Sequence, residues 1–181
     1  MDILLKIFKD KFVIIVLHHP LSTNGPQGGY FTWRNHIFPL TNLNEYLWIP
    51  LPIIGPLYPL VRGSVISNQD IGNDEYRKMK NHIEAILSKY SGLINASGHE
   101  HALQILNGVN DNLYIESGAG YCDHVEKSLG EGDDIIFVGR HEGFITLNFL
   151  SDERIELSVI KVLNEKGYIQ VVFSMPLNDD Y

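Results

Sequence analysis

Phe12-Val13-Ile14-Ile15-Val16-Leu17 is an unbroken apolar run, rich in β-branched residues, that stops at His18-His19-Pro20. A strand with one wet face alternates apolar and polar residues. A run with no polar member is the pattern of a strand covered on both faces, as in the parallel sheets of α/β folds, and it predicts a central strand over residues 12 to 17. Pro20 helps to close that strand, because proline lacks a backbone donor and restricts the residue before it. A second, mostly apolar run, Leu93-Ile94-Asn95-Ala96-Ser97, also leads into histidines, at Gly98-His99-Glu100-His101. In open α/β sheets ligands collect beyond the carboxyl ends of strands, and neutral imidazoles are common nitrogen ligands for zinc, iron and manganese. Two histidine clusters at two strand ends make metal chemistry the expectation. On spacing alone the plainer alternatives stay open: surface histidines in a loop, or strand-end histidines bonded to nearby carbonyls.

Residues 74 to 90 connect the two runs. Met79, Ile83, Ile86, Leu87 and Tyr90 recur at helical spacing, with Asp74 placed to cap the start and Gly92 to stop the end. His82 lies beside that face and needs no functional role. Strand, helix and strand make a βαβ-like unit, which puts His18 and His99 at the same edge of adjacent parallel strands. Gly98, just ahead of His99, allows a sharp turn or a close backbone approach. After His101 the texture becomes all-β. Residues 102 to 106 and 113 to 117 flank Asn110-Asp111-Asn112 as a hairpin, and residues 135 to 138, 144 to 149, 155 to 163 and 168 to 175 follow as strands, so the fold class is α/β and strand-rich after residue 93.

The remaining segments set boundaries. Ile3, Leu4, Ile7 and Phe8 fall at helical spacing with lysines on the other face, an amphipathic helix rather than a signal peptide. Residues 21 to 33 are rich in Ser, Asn, Gly and Pro and form a long loop, a plausible wall for a site that His18 enters. Residues 47 to 61 are apolar, yet four prolines and a glycine interrupt them, so they are no continuous membrane helix. They are expected to pack in extended form on the body, or to make a protein or membrane contact. With 181 residues and 44% hydrophobic content the chain can bury one core, so residues 1 to 181 are expected to form a single domain. A formal net charge of -8 without a basic patch argues against binding a nucleic-acid backbone. Cys122 is the one cysteine, which excludes an internal disulfide. With neither a signal peptide nor a transmembrane helix in view, the compartment stays open.

Three of these stretches together resemble a known family. Val16-Leu17-His18-His19-Pro20, then Gly98-His99-Glu100-His101-Ala102-Leu103-Gln104, then Ser117-Gly118-Ala119-Gly120 occur in the order of the last motifs of calcineurin-like metallophosphoesterases, most like the purple acid phosphatase-like branch. The resemblance spans residues 12 to 121. It implies a partial αββα sandwich, the carboxyl-terminal half of a phosphoric-ester hydrolase with two metal ions (Fe, Zn or Mn). Carried over by position, His18 and His99 would bind one metal and His101 the other, His19 would face the substrate, and Gly98, Gly118 and Gly120 would shape the backbone around the site. Glu100 stands where the family usually has Asp and is not a ligand in that pattern.

The family's earlier motifs, which supply a bridging carboxylate, an Asn ligand and the histidine that assists the leaving group, are absent from residues 1 to 181. Three imidazoles cannot hold two divalent ions, each of which takes four to six ligands. The chain alone is therefore expected to carry one metal or none, and to be weakly active or inactive on phosphate esters. Asp10 sits at the wrong end of its strand to help; Asp123, His124, Asp133 and Asp134, in a polar loop, are the remaining candidates to reach the site. An amino-terminal half, upstream or on a separate chain, would complete the centre, and its absence would leave an exposed strand edge and apolar surface beside residues 12 to 17. The alternative is a non-catalytic interaction or membrane-associated module that keeps the scaffold.

Overall fold

A computed structural model describes residues 1–28, 37–38, 46–51, 73–120, 129–130, 132–152, 154–163 and 167–177. The fold is α/β and strand-rich. Among the described residues two α-helices, α1 (Asp2–Ile7) and α2 (Asp74–Leu87), accompany eight strands: β1 (Ile14–Val16), β2 (Ile94–Ser97), β3 (Leu103–Asn107), β4 (Leu113–Ser117), β5 (Ile135–Gly139), β6 (Gly143–Phe149), β7 (Ile155–Val162) and β8 (Ile169–Leu177). The first sheet has the order β1-β2-β4-β3-β5 and is mixed; β6-β7-β8 form a second, antiparallel sheet.

Strand parity decides what each sheet face buries. Leu103 and Ile105 of β3 and Leu113 and Ile115 of β4 point toward the second sheet, where they meet Leu157, Val159 and Leu177. The alternate residues Leu106 and Tyr114 point the other way, onto Leu5 of α1 and Leu87 of α2. Each fully buried aliphatic side chain is worth about 1.5–3 kcal/mol. The sheet thus has an apolar layer on both faces, with helices on one side and strands on the other.

Helix α2 begins one residue earlier in its cap than expected. The Asn73 side chain, not Asp74, accepts from the backbone N–H of Glu75 and Tyr76, and Asp74 stands in the first turn, where its charge suits the helix dipole. Tyr76 and Leu87 are its buried residues, while Met79 is exposed. The hairpin of β3 and β4 forms as predicted, with Asn110 and Asp111 at positive φ in its turn. Asn112 does more than turn the chain. Its amide donates to the carbonyls of Leu87 and Tyr90, and its side-chain oxygen accepts from Leu93 N–H, pinning the end of α2 to the start of β2.

Two expectations at the amino terminus are corrected. The run 12–17 is not covered on both faces: among the described residues β1 is the last strand of its sheet, Val16 is 76% exposed, and Ile14 is exposed as well. Val13, Ile15 and Leu17 pack on the helix side, so an all-apolar run here has one dry face and one wet one. The stripe Ile3, Leu4, Ile7 and Phe8 of α1 is also exposed, and the helix is held instead by buried Leu5 and by Asp2, which accepts from the Tyr90 hydroxyl and pairs with Lys6. Six residues are too few for a helix to persist without such anchors. From the stretch 47–61, residues 47 to 51 are described and irregular, with Trp48 exposed on one side and stacked edge-on against Phe38; residues 52–61 lie outside the described residues. Among the described residues no helix is long and apolar enough to cross a membrane.

Replacing Asn112 by Ala removes three hydrogen bonds and leaves the Leu93 N–H buried without an acceptor. Unfolding in urea should show a loss of about 2–4 kcal/mol. A loss below about 0.5 kcal/mol, the level of a neutral surface change, would contradict this assignment.

Candidate metal centre

Parallel pairing of β1 with β2 sets the site. Val16 lies opposite Ala96, Leu17 N–H donates to the Ala96 carbonyl, and Gly98 N–H donates to the His18 carbonyl. The two chains leave the sheet side by side, and the histidines follow. His18, His19 and His99 present ring nitrogens that all lie within 4.8 Å of one another. His18 Nε2 and His99 Nδ1 are 3.1 Å apart, and the His19 and His99 ring centroids 4.2 Å apart.

The turn that carries His99 differs from the expectation for Gly98. His99 itself takes the left-handed conformation, at φ 70°, an uncommon state for a residue with a side chain and one that clusters at functional sites. A Cβ built on Gly98 would meet nothing within 4 Å, and one on Gly120 would touch only the Gly143 carbonyl at 4.0 Å. Gly118 is the glycine the turn requires: a Cβ there would lie 1.7 Å from the Glu100 carbonyl oxygen.

His101 is exposed and lies outside the three-histidine group, though near enough to disfavour charge on His99. Asp133 and Asp134 do not join the group either; the Asp134 carbonyl accepts from Asn107 N–H, at the far end of β3. Asp10 precedes β1 at the opposite end of that strand. Asp123 and His124 lie outside the described residues.

The donor set suits one cation. Two imidazole nitrogens on a single zinc ion, at about 2.0–2.1 Å and near-tetrahedral angles, stand about 3.3 Å apart, close to the observed His18–His99 separation. His99 Nε2 is buried and has no hydrogen-bond partner. If Nδ1–H donates to His18, Nε2 is a bare lone pair; if the tautomer is reversed, Nε2–H is a buried donor without an acceptor. An ion held between His18 Nε2 and the lone pair of His99 Nδ1 requires the second tautomer, so the buried Nε2 does not mark the position of the ion. Burial, then the neighbouring His19, His18 and His101, lowers the His99 pKa from 6.5 to about 4. Burial and His18 lower that of His19. Neutral rings are the form that binds metal. Among the described residues the group contains no carboxylate, so it does not fit two ions.

Beneath the histidines lies a layer that sequence reasoning did not identify. Thr23, Asn24, Glu100, Gln104 and Glu116 are all buried and bonded to one another. Tyr76 of α2 joins this region, its hydroxyl donating to the Pro20 carbonyl and its ring lying 5.7 Å from that of His19. The available signal was a carboxylate inside the otherwise apolar β4, since buried acids are almost always paired.

Comparison with known proteins adds little. No family model matches the sequence and no curated protein matches it. A solved structure titled "Structure of PhoD" shares a TM-score of 0.45 at 10% identity, over 62% of this chain and 26% of that one, so the chain spans about a quarter of its length. At that level the likeness is distant and says nothing about chemistry.

The depressed His99 pKa has a defined consequence. As pH falls below 6.5 the unfolded chain takes up its proton before the folded chain does, so the stability supplied by neutral His99 is full above pH 6.5 and is lost progressively down to about pH 4. Imidazole resonances followed by NMR in the metal-free protein should give His99 a midpoint near 4. A midpoint near 6.5 would show that the ring is neither buried nor crowded as described.

Proposed function

We propose that this chain carries the histidine half of a metallophosphoesterase centre, in which His18, His19 and His99 hold one divalent ion. The observation that carries the reading is the group of three imidazoles at the ends of two parallel strands, with ring nitrogens within 4.8 Å of one another and His18 Nε2 3.1 Å from His99 Nδ1. The ordered motifs at residues 16–20, 98–104 and 117–120 support the choice of chemistry. A bound ion would supply Lewis-acid polarisation of a phosphoryl oxygen.

The residues of the chain take the following roles in this reading. His18 and His99 are ligands to the same ion. His19 is the third imidazole, half-buried beside them rather than standing apart to meet the ester. His101 is reserved for a second ion, which binds only when carboxylate ligands are supplied by polypeptide outside the described residues. The substrate is a phosphate ester, and imidazole ligands leave the ion's positive charge uncancelled for it. Hydrolysis by the chain alone is weak or absent, because a single ion without a bridging carboxylate cannot stabilise both the attacking and the leaving oxygen.

A second reading has its own observation. Val16, the α1 stripe and the segment Tyr46–Ile49 put large apolar side chains in solvent, which suits an interaction module that keeps the scaffold without the chemistry.

Purified chain loaded with Zn, Mn or Fe and freed of excess metal should retain one ion, and its turnover of a generic phosphomonoester should stay at buffer background. Two retained ions with enzyme-like turnover would overturn the half-site reading. No retained ion, together with concentration-dependent self-association in light scattering, would favour the interaction module.

A further inference from the structure

Glu100 is the one residue of His99-Glu100-His101 that is fully buried, at only 3% exposed. Everything around it is built to fix its position. Its backbone N–H is shared between Glu116 Oε1 at 2.9 Å and the Gly98 carbonyl at 2.8 Å. Its carbonyl faces Gly118, where no side chain fits, and accepts from Ala102 N–H. Its carboxylate accepts from the Thr23 hydroxyl at 3.2 Å and lies against Gly25, where a Cβ would come within 2.4 Å of the carboxyl carbon.

Glu116 is equally committed. It is 2% exposed and sits on β4 directly opposite Gln104 of β3. Gln104 Nε2 donates to Glu116 Oε2 at 3.3 Å and to the Thr23 hydroxyl oxygen at 2.8 Å, while Gln104 Oε1 accepts from Asn24 N–H at 3.0 Å. Two polypeptide arms are thereby joined under the site. One is the loop after β1, which carries His18 and His19 and continues through Thr23 to Gly25; the other is the turn that carries His99.

We infer that Glu116 is a positioning residue for the histidine centre, acting through the Glu100 backbone to hold the left-handed turn of His99 against the His18–His19 loop. The inference rests on the metal reading given above. A buried carboxylate is costly unless it is bonded, and the main backbone bond of this one fixes the residue next to His99. Partners behind the ligands of a metal site typically change its affinity 10–100-fold when removed.

The test compares the full chain with Glu116→Gln and Glu116→Leu. The Gln variant keeps a side-chain acceptor for Glu100 N–H and gives up the longer contact to Gln104; the Leu variant leaves that N–H with the Gly98 carbonyl alone. Cobalt(II) affinity is read from the visible d–d absorption, and folding is checked by thermal unfolding of the metal-free forms. The expected result is a 10–100-fold weaker cobalt affinity in Glu116→Leu with an altered d–d spectrum, and an affinity within about threefold of the parent in Glu116→Gln. If Glu116→Leu does not fold, Glu116→Asp replaces it, since a carboxylate one methylene shorter is withdrawn from Glu100 N–H, and the same loss is expected. Parent-like affinity and spectrum in the folded Leu or Asp variant would overturn the inference and leave the metal reading intact, as would a Gln variant weakened as much as Leu. A parent chain that binds no cobalt would overturn both.

Discussion

The site depends on one short parallel pairing. β1 has three residues, and its ladder to β2 runs only from Ile14 opposite Ile94 to Val16 opposite Ala96. Two further backbone bonds, Leu17 N–H to Ala96 and Gly98 N–H to His18, extend the contact past the sheet into the loops. Without them the residues 81 positions apart in His18 and His99 would have no reason to meet. Parallel strands leave a sheet in the same direction, so both chains deliver their side chains to one crevice. The three imidazoles are a consequence of that topology more than of any local motif.

Bringing neutral rings together costs less than bringing charged ones together, which is why burial and mutual proximity hold His99 neutral far below its ordinary range. The buried acids beneath carry the opposite problem. Burial pushes the Glu116 pKa well above the usual carboxylate range, the Glu100 charge adds to this, and the Glu100 N–H bond opposes it. The centre is therefore a neutral, lone-pair-rich cluster over a bonded polar layer. Imidazole ligands and acids are separated by a single turn of backbone.

Much of this was legible in the sequence. The helix over residues 74 to 87, the hairpin of β3 and β4 and the later strands follow from periodicity, because their apolar faces are decided by the layers they pack against. The run 12–17 misled because apolarity reports burial only where something covers the strand; Ile14 and Val16 are apolar and exposed. The stripe of α1 misled for the same reason. At the site, the histidines were visible as strand-end residues, but their grouping was not: His19 joins His18 and His99 while His101 stays outside. Gly98 seemed the natural turn residue, yet the close approach occurs at Gly118, beyond the end of the neighbouring strand β4, a glycine that only the family resemblance pointed to. Glu116 and Asn112 act through long-range hydrogen bonds, which no periodicity encodes.

The central claim is that His18, His19 and His99 bind a single ion through ring nitrogens, and X-ray absorption on the zinc-loaded chain tests it most directly. The account predicts three imidazole nitrogens at about 2.0–2.1 Å from one zinc, with no metal–metal scattering. A first shell of water and carboxylate oxygens without imidazole, or a clear metal–metal distance near 3.5 Å, would contradict it.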